Sequence, residues 1–187
     1  MLIQAGGIEL LMQTSNSGES CAYIASREGR AEALKILIEA GGKELLMLTK
    51  SDGSSCAFIA SEKGHTEALA LLIEAGGKEL LMLTTNDGCS CAFIASHRGN
   101  TEALGMLLGA GGKELLRLAY KGVSCVDIAC LTGHMESLIM LQKCPLDQSN
   151  EEPSEEEESS PPARLGRRGS IGALIRGLLA YTDALLP

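Results

Sequence analysis

The thirteen letters LIEAGGKELLMLT stand at residues 37–49 and return unchanged at residues 72–84. Looser copies flank them, LIQAGGIELLMQT at 2–14 and LLGAGGKELLRLA at 107–119. A phrase that recurs about every 35 residues marks a supersecondary unit too small to bury its own apolar face. Such units stack, and each touches only its neighbours. A single catalytic centre would break the symmetry at one unit, and no unit stands out in that way. The repeat therefore predicts a non-catalytic stacked architecture.

Alignment on a recurring Cys sets the register. A partial unit occupies 1–18, full units occupy 19–53, 54–88 and 89–122, and a second partial unit occupies 123–144. Each unit reads as helix, turn, helix and a long connection. Ser20, Ser55, Ser90 and Ser124 precede the first helix, where a hydroxyl can accept from free first-turn amides. Gly29, Gly64, Gly99 and Gly133 suit its left-handed end. Leucines at i, i+3 and i+4 give the second helix an apolar stripe, as at Leu69, Leu72 and Ile73. After the Gly-Gly pair, KELLML is too apolar for an open loop. It reads as an extra helical turn before the Asp52-Gly53 and Asp87-Gly88 turns.

Composition narrows the function. Aromatic residues are 3% of the chain and Trp is absent, so the core rests on Leu, Ile, Ala and Met, and a base-stacking platform is disfavoured. Residues 1–144 hold 16 acidic and 12 basic side chains, a balance of −4 that argues against phosphate-backbone binding. Of seven Cys, Cys21, Cys56, Cys91 and Cys125 fall one per unit and read as small buried thiols. Cys89, Cys91 and His97 lack the paired four-ligand spacing of a closed zinc site, so neither a metal nor a cofactor is expected. His65 and His134 follow the turn glycine and read as packing residues. No basic-then-apolar leader and no membrane-length apolar run is seen, which predicts an intracellular protein, cytoplasmic or nuclear.

The order Asp-Gly, Ser-Cys-Ala-Phe, Ile-Ala, Gly-His and a Leu-rich helix ending in Gly resembles the ankyrin repeat over residues 1–144. Ser55-Cys56-Ala57-Phe58 stands where that family has Thr-Pro-Leu-His, so Cys replaces Pro, and Tyr23, Phe58, Phe93 or Asp127 replaces His. The resemblance implies an all-α helix-turn-helix solenoid whose first helices and connection tips line a concave partner-binding face. On that implication the candidate binding residues are the variable ones: Tyr23, Phe58 and Phe93; Arg27, Glu62 and His97; Arg98 beside them; and Tyr120 at a tip. The implied partner is another protein, of unread identity.

Residues 145–170 form an acidic, Pro- and Ser-rich linker expected to be disordered, with seven acids between 145 and 163. Residues 171–187 carry a short amphipathic helical stripe that needs something to fold against. RRGSI at 167–171 resembles a basophilic kinase site with Ser170 as acceptor, so phosphorylation of the tail is an expected control. An alternative is that the chain is a truncated piece of a longer multi-repeat protein whose activity lies elsewhere. Because the first partial unit is short, Ile24 or Leu34 is expected to be left partly unshielded.

Overall fold

The computed structural model describes residues 2–143, and of residues 2–6 only the backbone. The linker at 145–170, the tail helix at 171–187 and Ser170 lie outside the described residues.

Each unit opens on the predicted serine. Ser20, Ser55, Ser90 and Ser124 are extended, and their hydroxyls accept from the amides of Tyr23, Phe58, Phe93 and Asp127. These caps start α2 (Cys21–Arg27), α4 (Cys56–Lys63), α6 (Cys91–Arg98) and α8 (Cys125–Thr132). In α8 the Asp127 carboxylate also accepts from the Ser124 amide, closing a capping box. Gly64, Gly99 and Gly133 end their helices with φ of 73°, 72° and 76°, a conformation that favours glycine. The second helices are α3 (Ala31–Leu46), α5 (Thr66–Leu81), α7 (Thr101–Leu116) and α9 (Met135–Lys143), preceded in the chain by α1 (Leu2–Leu11).

The second glycine of each pair interrupts the long helix with a non-helical bend. Gly42, Gly77 and Gly112 have φ of 61°, 61° and 66° with ψ near −160°. Beyond the bend the chain makes another helical turn, as the apolar KELL letters predict. That turn places Leu45, Leu46, Leu80, Leu81 and Leu115 wholly out of solvent. Full burial of a Leu is worth about 1.5–3 kcal/mol, so each turn anchors its unit firmly. A tight hairpin follows, in which the Gly53 amide donates to the Lys50 carbonyl and the Gly88 amide to the Thr85 carbonyl. Isolated antiparallel bridges Thr14–Ser20, Thr84–Ser90 and Tyr120–Val123 mark three of these hairpins.

The units stack in two rows. α2, α4, α6 and α8 pack one on the next, α3, α5, α7 and α9 do the same behind them, and α1 lies against α3. Thiols tie consecutive units. The Sγ–H groups of Cys56 and Cys91 donate to the carbonyls of Leu46 and Leu81, both at 3.3 Å. Burial pushes both thiols up to about 12, so they remain neutral. At the first full unit the two candidates for incomplete shielding differ. Leu34 is fully buried while Ile24 is 39% exposed.

Candidate recognition surface

The row of first helices and the edge of hairpin tips meet along one side of the units. Neighbouring tips are joined directly. The Ser51 amide and hydroxyl both donate to the Ser17 carbonyl, at 3.0 and 2.7 Å. One unit on, the Asn86 amide donates to the Asp52 carbonyl at 2.8 Å and its Nδ2 to the Ser51 carbonyl at 3.0 Å. At the other end of the first helices, residues after the turn glycine reach back across the unit boundary. Asn100 Nδ2 donates to the carbonyls of Ser61 and Glu62 at 2.8 and 2.9 Å. The Nε2 atoms of His65 and His134 lie 3.1 and 3.0 Å from the carbonyls of Arg27 and His97. A carbonyl only accepts, so both rings carry the proton on Nε2. These two histidines are packing residues.

The sequence-predicted site residues divide into two groups. Tyr23, Phe58, Phe93 and Tyr120 are only 4, 4, 2 and 4% exposed. Their rings are part of the packing between units and do not offer themselves to a partner, which corrects the expectation drawn from their variability. Phe93 and Tyr120 pack against each other within the third unit, first helix against hairpin, with ring centroids 5.2 Å apart. Burial raises the Tyr23 phenol far above its ordinary range, and Asp52, Glu19 and Glu62 raise it further.

Of the charged group, Arg27 and Arg98 are partly exposed, while the Glu62 side chain is only 8% exposed. Arg27 Nη1 lies 2.8 Å from Glu19, and its Nε lies 3.0 Å from Glu28. Arg98 of the third unit pairs with Glu62 of the second at 2.6 Å. Beside them Lys63 is exposed and His97 is half-buried. His97 Nδ1 is a buried nitrogen without a hydrogen-bond partner. Burial, with Arg98 and His134 adding to it and Glu62 opposing, holds this imidazole below its ordinary range and therefore neutral. At the tips, burial raises the Asp52 carboxyl, but bonds from Ser54 and Lys50 outweigh that and hold it below the usual carboxylate range. The Lys121 ammonium sits 4.9 Å from the Tyr120 ring centre.

Sequence reasoning missed Glu19 and the tip-to-tip hydrogen bonds, since neither follows from period or composition. Cys89 and Cys91 are both buried, with thiols pushed up to about 12 chiefly by burial. No group of three or more His, Cys, Asp or Glu side chains comes together to hold a metal ion among the described residues. No helix among them is long and apolar enough to cross a membrane.

A family model described as ankyrin repeats (3 copies) matches residues 22–116, just over half of the chain. No curated protein matches the sequence.

Proposed function

The chain belongs to the ankyrin-repeat family, and on that premise we propose that it is a non-catalytic protein-recognition scaffold. Ankyrin repeats are generally protein–protein interaction modules. The observation that carries the reading is a constant frame with changing letters on one exposed row. The capping Ser, the Leu core and the paired glycines repeat from unit to unit. The half-buried position at the end of the first helix holds Arg27, Glu62 and then His97, and the next holds Glu28, Lys63 and then Arg98, of which Glu28 and Lys63 are exposed. The charge reverses from Arg27 to Glu62 and from Glu28 to Lys63, a pattern that a partner with its own charges can read.

Arg27, Glu62, His97 and Arg98 are the contact residues in this reading. Ser170 is a regulatory phosphorylation site for a basophilic kinase, supported by the RRGSI sequence. Six unpaired thiols among the described residues support a reducing, intracellular setting.

Affinity capture from cell extract tests the reading. Wild-type chain is compared with Glu28→Lys/Lys63→Glu, which reverses two exposed charges on the first-helix row. A second comparison, Glu74→Lys, alters the second-helix row. Proteins captured by wild type and by the Glu74 variant, but lost with the double variant, support it. Equal capture by all three, with unchanged circular dichroism, overturns it.

A further inference from the structure

A stack that ends in water turns polar side chains outward from its last unit. The fourth unit does the reverse. Three interior contacts identify positions that face the next unit. Glu62 pairs with Arg98. The Thr101 hydroxyl hydrogen-bonds the Ser137 hydroxyl at 3.0 Å. A Cβ on Gly105 would meet the Met140 thioether at 3.3 Å. The counterparts of Glu62, Thr101 and Gly105 in the fourth unit are Leu131, Met135 and Ile139, which are 50, 61 and 48% exposed. At the other end, Ile24 is 39% exposed, whereas its counterparts Ile59, Ile94 and Ile128 are 5, 2 and 2% exposed. Ile36, the counterpart of Met140, is 54% exposed.

The two ends also match in register. The fourth unit holds a complete first helix, and its α9 reaches Lys143, the counterpart of Gly109, where the described residues end. The sequence leaves the repeat pattern at Pro145. The stretch before Ser20 holds a kinked helix and a hairpin. α1 starts at Leu2, the counterpart of Leu107, and bends at Gly7 with φ 61° and ψ −166°, as α7 does at Gly112 with φ 66° and ψ −166°.

We propose that a second copy of this chain docks head to tail on the α8–α9 face, its exposed Ile24 and Ile36 set against Leu131, Met135 and Ile139. The interior boundaries supply the template for the contact. Met135 seats on the exposed Ala33 as Thr101 seats on Ser137, and Ile139 on Ile36 as Gly105 on Met140. Cys130 comes beside Cys21, as the Ser96 side chain lies beside the Cys125 thiol. Cys130 is exposed and Cys21 half-buried, while Cys56, Cys91 and Cys125 are buried. The contact joins unlike surfaces, so each docking leaves a free face at both ends, and the product is an open series rather than a closed dimer.

Sedimentation of the full chain over a wide concentration range is the test. The mass of wild type rises with concentration. Ile139→Glu and Ile36→Glu each put a charge on one of the two faces, weaken association at least about tenfold and return the chain to monomer. Mixed together, they form one-to-one dimers and nothing larger, since each retains the face the other has lost. Recovery of dimer in the mixture also shows that both variants are folded. Diamide provides a second readout. It takes two electrons and two protons from the paired thiols and leaves a Cys130–Cys21 disulfide between chains, which Cys130→Ser abolishes. A wild-type monomer at every concentration overturns the proposal, as does a variant mixture that stays monomeric.

Discussion

Replacing Phe93 by Ala separates a packing role from a recognition role. The side chain is 2% exposed and its ring meets Tyr120 of the following hairpin at 5.2 Å. Truncating a buried Phe costs about 3–5 kcal/mol. A domain of this size has a stability of about 5–15 kcal/mol, so the loss is a large share of the total. It falls on the hairpin that closes the third unit and leads into the fourth. Because each unit touches only its neighbours, the fourth unit should detach before the rest unfolds. Hydrogen exchange at α8 and α9 should accelerate by about a hundredfold or more, since each 1.4 kcal/mol is about a factor of ten. Exchange in α2 and α3 should change far less. If α8 exchange is unchanged and the urea midpoint stays at the wild-type value, the ring does not hold the boundary and the packing account fails.

Further outcomes follow from single contacts. Ser55→Ala removes the acceptor of the Phe58 amide at 3.1 Å and should cost about 1 kcal/mol in urea unfolding. Gly99→Ala should cost more than Gly133→Ala, because both have positive φ but only at Gly99 would the new methyl meet an imidazole, that of His134 at 2.5 Å. His97 binds its proton later in the folded than in the unfolded chain as pH falls, because burial lowers it below 6.5. Its contribution to stability is therefore present above that value and lost as pH falls through the lower folded value. Between about pH 7.5 and about pH 5 the melting temperature of wild type should drop further than that of His97→Gln. Iodoacetamide should label Cys130 in the native chain, while Cys56 and Cys91, held neutral up to about 12, react only on unfolding.

The sequence carried the frame well because the frame is local. A Ser before each first helix, a Gly after it and leucines at helical spacing all act within a turn of where they stand. The extra turn in KELL was legible for the same reason, since its apolar letters need a core. The bend at the second glycine of each pair was not, because the sequence shows a Gly-Gly pair without showing which member takes positive φ. Burial of Phe58 and Phe93 was illegible for a different reason. Letters that vary between units look exposed, but Tyr23, Phe58 and Phe93 are all buried whichever ring the position carries. Leu34 and Ile24 illustrate the same limit. Both were candidates for exposure, and α1 packed against α3 separates their fates.

Two of the units carry an identical phrase, so their leucines cannot tell a folding chain which copy belongs where. Skipping the second unit, and seating the third directly on the first, would sacrifice little of the apolar contact. What changes is the partner of Arg98. In the native order it meets Glu62 at 2.6 Å. In the skipped order it meets Arg27, like charge against like. A pair near the surface adds little to stability in its own right, but repulsion in the wrong arrangement widens the difference between the two. The Glu62–Arg98 pair thus serves as an address label, written in charge on units whose cores read the same.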